Sequence, residues 1–170
     1  MQPSIVEGDG RGEDGEVTAA PAVAVTAARC EGSQLAGRFA VVRGSAGAGQ
    51  ISYRLVLRNV SQRSCTLTGL PRVRLLGRRG KALPTAVRAE FPGALSAVLV
   101  TLAPGASARA EARFSPDVNG VGEQTNGPCE PKAYSLRVFA PGGGSAGVPV
   151  VPATAVCSRG RLLFRAYGRA

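Results

Sequence analysis

The chain has 170 residues, 44% of them hydrophobic, with four cysteines, no histidine and a formal charge of +10. This length fits one domain with a real core, and no apolar run is long enough to cross a membrane. Only eight residues are aromatic and none is tryptophan. We therefore expect alanine, valine, leucine and glycine to build the core, rather than large rings.

The charge is unevenly distributed along the chain. Five of the eleven acidic residues lie in the first sixteen positions, whereas 20 of the 21 basic residues lie from Val17 onward, so that part carries +14. Such a basic body suggests polyanionic partners: nucleic acid, anionic lipid or an anionic wall polymer. Arginine outnumbers lysine 19 to 2, a bias that a GC-rich genome also produces without selection for binding.

Residues 1–29 differ in composition from the rest of the chain. They are acidic and Gly-rich, then rich in Ala, Pro and Val, and they show no lasting period. This composition predicts a disordered leader or tether, followed by a single domain over residues 30–170. No basic-then-apolar signal peptide opens the sequence, so either it begins after an export signal or the protein is not exported.

From Cys30 onward, short alternating segments between Gly and Pro residues predict an all-β fold. The predicted strands are "GQISYRLVLRNV" (49–60), "PRVRLLG" (71–77), a short strand near 82–87, "AVLVTL" (97–102), "ASARAEARF" (106–114), "AYSLRVFA" (133–140) and "GRLLFRAY" (160–167). The continuous apolar run 97–102 is typical of a strand covered on both faces. We predict an immunoglobulin-like antiparallel β-sandwich of about seven to nine strands with two disulfides.

The four cysteines allow three pairings. None forms a C-x-x-C pair, and the lack of histidine disfavours both a zinc site and an activated thiol. Two structural disulfides are the better interpretation, and they indicate an oxidising compartment. We favour Cys30–Cys65, between the start of the domain and a strand end, and Cys129–Cys157, between a long loop and the last strand.

Arginines follow the outward register of the predicted strands. They are Arg54, Arg58, Arg72, Arg74, Arg109, Arg113, Arg137, Arg161 and Arg165. Sharing one sheet, they would form a basic surface suited to phosphates. The aromatic residues on that register are Phe139 and Tyr167, too few for sequence-specific recognition of nucleic acid.

Other candidate sites are weaker. Asn59-Val60-Ser61 matches a glycosylation sequon, but a strand-end turn explains it better. The segment "DVNGVGE" (117–123) resembles a calcium loop, yet Glu123 follows Gly120 by only three residues. The few carboxylates are scattered, so we expect no catalytic residues, no metal and no cofactor.

Five segments carry a resemblance to a known family: "CEGSQL" (30–35), residues 49–77, "VTLAPGASARAEARF" (100–114), "CEPKAYSLRVFAPGG" (129–143) and the final "CSRGRLLFR" (157–165). Over about residues 30–167 the chain resembles the actinobacterial domain of unknown function 4232. The most specific piece is Asn-x-Ser-x-x-x-Cys-x-Leu-x-Gly-x-Pro, Asn59 to Pro71. The resemblance implies export, often as a lipoprotein or beside a membrane anchor, and brings no catalytic residues.

These observations favour a non-catalytic, extracytoplasmic binding or structural module, secreted or attached to the cell envelope. Its expected partner is an anionic cell-wall polymer, an anionic lipid or an envelope protein, bound through the arginine-rich face. Two alternatives stay open. One is an envelope hydrolase or transferase with a site in the 115–131 loop, and the other is a basic protein that binds nucleic acid.

Overall fold

β-Strands dominate the chain in the computed structural model, which describes residues 18–21, 26–94 and 98–170. Twelve strands occur among these residues: β1 (Ala28–Arg29), β2 (Leu35–Val41), β3 (Ile51–Asn59), β4 (Cys65–Leu67), β5 (Arg72–Leu76), β6 (Ala86–Ala89), β7 (Val100–Leu102), β8 (Ser107–Phe114), β9 (Ala133–Phe139), β10 (Ser145–Thr154), β11 (Arg161–Phe164) and β12 (Gly168–Arg169). One four-residue helical turn, α1 (Cys157–Gly160), precedes β11, and 3-10 turns cover Gly32–Gln34, Arg78–Gly80 and Pro92–Ala94.

The strands form two sheets. The small sheet has the order β1-β4-β7, and the large sheet has the order β5-β9-β10-β2-β3-β8-β11-β6, with β12 also paired to β8. Most neighbours are antiparallel, while β1–β4, β10–β2 and β6–β11 are parallel pairs. The predicted all-β sandwich is confirmed, with short strands accounting for the count above nine. Within the described residues no helix has the length and apolarity that a membrane crossing requires.

Two long strands carry no clear sequence signal, and one predicted strand is shorter than expected. β2 was not predicted, and neither was β10, where Pro149 and Pro152 argue against a strand interior. Of the predicted strand 97–102, position 97 lies outside the described residues and β7 covers Val100–Leu102, with Thr101 exposed, so this strand is not covered on both faces. Residues 1–17 and 22–25 of the predicted leader lie outside the described residues, and Ala28–Arg29 form β1.

The core combines small apolar residues with a cluster of rings. Ala108, Ala110, Ala112 and Phe114 are all buried, as the alternation predicts. The expectation of a core without large rings was wrong, because half of the eight aromatic residues meet at its centre. The ring centroids of the four-ring cluster are 5.2 Å apart for Phe39–Tyr53 and Tyr53–Phe114, and 6.1 Å apart for Phe39–Phe164, distances at which aromatic pairs attract.

Both predicted disulfides are present, so the favoured pairing of the four cysteines is confirmed. Cys30–Cys65 joins the residue after β1 to the first residue of β4, with a Cα–Cα distance of 4.7 Å. Cys129–Cys157 joins the end of the 115–131 loop to α1, with a Cα–Cα distance of 5.3 Å. Each bond closes a loop of about thirty residues and stabilises the fold by roughly 3–4 kcal/mol in the chain-entropy model.

The hydrogen bonds of Asn59 give the structural reason for the start of the motif that runs from Asn59 to Pro71. Its side chain is fully buried at the end of β3. The Nδ2 group donates to the carbonyls of Arg63 (2.7 Å) and Leu102 (3.0 Å). The Oδ1 atom accepts from the backbone N–H and the hydroxyl of Ser61 (3.0 and 2.7 Å). Asn59 therefore ties the large sheet to β7 of the small sheet, and its buried amide has a structural role.

We expect Asn59→Ala to lower the free energy of unfolding by about 2–4 kcal/mol, because the buried Leu102 carbonyl loses its donor and a cavity remains. Val60→Ala is the matched control, since Val60 is 53% exposed and its truncation should change stability by no more than about 0.5 kcal/mol. Urea denaturation measures both. Equal, small changes would contradict the assigned role.

Candidate anion-binding surfaces

The nine arginines singled out in the sequence all point outward, but they do not form one surface. Arg54 is half-buried and the other eight are exposed. Six lie on or next to three neighbouring strands and are called the β3–β8–β11 group: Arg54, Arg58, Arg109, Arg113, Arg161 and Arg165. Three lie near the other end of the sheet and are called the β5–β9 group: Arg72, Arg74 and Arg137. Strands β10 and β2 separate the two groups.

Half of the β3–β8–β11 group is neutralised by carboxylates. Arg54 lies directly opposite Glu111 across β3 and β8, and their charged atoms are 3.2 Å apart. The Glu90 side chain is only 8% exposed and bridges Arg113 (3.4 Å) and Arg165 (2.7 Å). The hydrogen bond and the charge of Glu90 raise the pKa of Arg165. Three of these six arginines thus already have an anionic partner within the protein.

The β5–β9 group has a different electrostatic environment. Arg74 lies directly opposite Arg137, and Arg72 lies opposite Phe139. Strands β5, β9 and β10 contain no acidic residue, and none of the three arginines takes part in an ion pair within the described part of the chain. Like charges directly opposite each other destabilise a sheet, so this arrangement costs stability in the absence of an anion.

An open depression of about 700 Å³ lies where β5 ends and β9 begins. It is lined by residues 77–80, Tyr134 and Ser135. The guanidinium carbon of Arg78 lies 5.0 Å from the centre of the Tyr134 ring, within the range of a cation–π contact. Arg79 and Lys81 lie in the same turn and add positive charge. The depression therefore combines basic groups with an exposed aromatic ring.

Tyr134 is an exposed aromatic residue that the alternation does not predict, whereas Tyr167, which was placed on the outward register, is buried. The alternation around Arg137 predicts Ala133 outward and Tyr134 inward, but the register of β9 against β10 shifts between Ser135 and Ala133. The shift buries Ala133 and leaves Tyr134 37% exposed. Tyr167 is buried, and burial raises the pKa of its hydroxyl far above the usual range. The shift lies between Pro149 and Thr154 of β10, so Pro149 and Pro152 are the local signal that could have indicated it.

A second cleft, of about 550 Å³, lies beside the 115–131 loop. Its charged lining residues are Asp117, Glu130 and Lys132. Glu123 holds the loop nearby, because its carboxylate accepts from the backbone N–H groups of Gly120 (2.5 Å) and Arg159 (2.7 Å). Glu123 also lies within 4.8 Å of both Cys129 and Cys157 sulfurs, but those sulfurs are bonded to each other and do not offer thiolate ligands.

The two glutamates of this loop have opposite pKa shifts. Burial raises the pKa of Glu123, but backbone hydrogen bonds from Arg159, Gly120 and Ser158 outweigh it and leave the pKa below its usual value. Burial also raises the pKa of Glu130, and the neighbouring charge and hydrogen bond of Glu123 raise it further. On rising pH, Glu123 is therefore expected to lose its proton before Glu130 does.

The fold and its surfaces define a class, a disulfide-bonded all-β sandwich domain with a basic exterior. The chain belongs to the family described as Domain of unknown function (DUF4232), whose model matches residues 30–165. The match spans both disulfides and confirms the resemblance drawn from the motifs. No curated protein and no solved structure matches the chain.

We expect substitutions of the two glutamates to shift the melting temperature in opposite directions near neutral pH. The raised pKa of Glu130 gives stability below its ordinary value of 4.5 that is lost as the pH rises through the raised value. Glu130→Gln should therefore raise the melting temperature at neutral pH by about 1–3 °C, since partly exposed charges contribute under about 1 kcal/mol. The gain should shrink towards pH 4.5.

Glu123→Gln is the matched control, because it is the same substitution and is expected to shift the melting temperature in the opposite direction. The lowered pKa of Glu123 gives stability above 4.5 that is lost as the pH falls through the lowered value. This variant should melt at a lower temperature than the wild type near neutral pH and approach it in acid. Thermal unfolding across a pH series measures both. A shift of the same sign in the two variants would disprove the assignment.

Proposed function

We propose that this chain is a non-catalytic binding module that works outside the cytoplasm and binds an anionic polymer or lipid headgroup through its outward arginines. The observation that carries the proposal is the mismatch between basic and acidic groups on the strands. From Val17 onward the sequence has 20 basic and six acidic residues. Among the described residues, only Glu90 and Glu111 form ion pairs with arginines. The surplus of positive charge produces an electrostatic potential that attracts polyanions.

The disulfides support the proposed location. All four cysteines are paired, and such bonds persist in oxidising compartments, whereas they are rare in the cytosol. Secretion or attachment to the cell envelope is the corresponding proposal, and the family resemblance supports it. A role as a nucleic-acid-binding protein of the cytosol is less compatible with this cysteine chemistry.

The main alternative is an envelope hydrolase or transferase that uses the cleft beside the 115–131 loop. Its support is the proximity of Asp117, Glu130 and Lys132 in one depression. The hydroxyl group in the described lining of that cleft belongs to Thr154, which donates to the backbone carbonyl of Ala155 (3.1 Å), and Glu123 is engaged by backbone N–H groups. A nucleophile with an activating base is what such chemistry needs. We therefore favour the binding module.

The purified, oxidised chain should bind anionic polymers or anionic vesicles, and the binding should weaken as salt is added. Fluorescence titration against nucleic acid, a polycarboxylate, a phosphate polymer and phosphatidylglycerol vesicles measures it, with dextran and phosphatidylcholine vesicles as neutral controls. For a single-stranded polyanion, the logarithm of the binding constant should fall with a slope of about −0.7 per contacted charge. An absence of binding at low salt, or equal binding to the neutral controls, would refute the proposal.

A further inference from the structure

We propose that the β5–β9 group and the depression beside Tyr134 form the binding site, and that its ligand is a linear phosphodiester polymer in an extended conformation. This inference rests on the proposed function and names both the surface and the chemical class of the ligand. It distinguishes between two arginine groups that the sequence alone treats as one.

Among the described residues, the β5–β9 group has no acidic partner. Half of the β3–β8–β11 group is already neutralised by Glu90 and Glu111. In the β5–β9 group, Arg74 and Arg137 lie opposite each other without an acidic residue on their strands. An anion that bridges the two guanidinium groups would relieve their repulsion. Binding energy is therefore available at the β5–β9 group.

The spacing of the three arginines suits a linear polymer with regularly spaced charges. Arg72 and Arg74 lie on the same face of β5, so their Cα atoms are about 7 Å apart along the strand, at roughly 3.3–3.4 Å per residue. Arg137 faces Arg74 across the strand pair, at a Cα separation of about 4.5–5.5 Å. The three side chains form a short ladder of charges. A polymer with one charge per repeat can contact successive positions of this ladder.

The chemistry of the guanidinium group favours phosphate as the anion. The planar guanidinium fork matches two oxygens of a phosphate and stays charged at all relevant pH values. Arg78 and Arg79 continue the basic surface into the depression, where the Tyr134 ring offers an apolar face. The carbon linkers of a phosphodiester chain can pack against this ring while the phosphates contact the arginines.

The distribution of exposed apolar side chains favours a polymer over a lipid bilayer. Eight large apolar residues are exposed among the described residues, and six of them lie away from β5, β9 and β10: Val60, Phe91, Val98, Leu99, Val118 and Val121. On β5 and β9 only Tyr134 belongs to the set. Peripheral membrane binding usually combines basic residues with several apolar side chains that enter the interface. The β5–β9 surface lacks that second component.

The test compares two triple variants that remove the same charge. Arg72→Gln/Arg74→Gln/Arg137→Gln removes the β5–β9 group. Arg58→Gln/Arg109→Gln/Arg161→Gln is the matched control, because these three arginines of the other group form no ion pair within the described residues. The probe is a fluorescent oligomer of abasic phosphodiester units, which contains no base to stack. A polygalacturonate oligomer of equal charge and phosphatidylglycerol vesicles are measured alongside.

We expect the β5–β9 variant to bind the abasic oligomer about ten- to a hundred-fold more weakly than the wild type at physiological salt, and the salt slope to fall by about two. The control variant should keep most of the affinity. Because Arg74 and Arg137 repel each other, the β5–β9 variant should unfold at the same or a higher temperature than the wild type. This readout excludes loss of binding through unfolding.

The outcomes separate this inference from the proposed function. Loss of binding in the control variant, with the β5–β9 variant unchanged, would overturn the assigned surface and leave the proposed function standing. Equal or tighter binding of polygalacturonate or of the vesicles would overturn the phosphodiester class. If the wild type binds no anionic probe even at low salt, the proposed function itself fails.

Discussion

The fold depends on the buried amide of Asn59. This side chain joins the end of β3 in the large sheet to the carbonyl of Leu102 in the small sheet, and it closes the turn that leads to β4. The turn places Cys65 for its bond to Cys30. A buried amide has to satisfy both its donors and its acceptor, and this turn and the small sheet together supply the partners that Asn59 needs.

The two disulfides act at opposite ends of the chain. Cys30–Cys65 fixes the start of the domain to the small sheet, and Cys129–Cys157 fixes the longest loop to α1. The four-ring cluster around Phe39 fills the interior together with small residues such as Ala108 and Ala112. The covalent bonds and the packed rings leave a rigid scaffold, so its outer faces can hold charges that repel each other.

Few acidic residues are available to balance the arginines of this fold. Glu90 and Glu111 compensate one set of arginines, while Glu123 and Glu130 belong to the 115–131 loop. The β5–β9 group has no such partner in the part of the chain that the structure describes. Because arginines cover much of this protein, their number alone does not distinguish one surface from another. The two arginine groups differ instead in whether carboxylates of the described residues neutralise them.

Sequence alone determined the parts of the protein that follow from local periodicity and covalent chemistry. The alternation in β3, β5 and β8 predicts those strands and their buried faces, and the four cysteines without histidine predict two disulfides, because both signals are contained in neighbouring residues. The motif from Asn59 to Pro71 also carries the family. β2 and β10 gave no such signal, since glycine and proline obscure their period.

Only the tertiary structure decided which arginines share a surface and which are neutralised. The pairing of Arg54 with Glu111, the bridge from Glu90, and the opposition of Arg74 and Arg137 all join residues that are far apart in sequence. The register shift that exposes Tyr134 depends on the path of β10 beside β9. Strand order and register are long-range properties, because a strand's own residues specify its faces but not its neighbours.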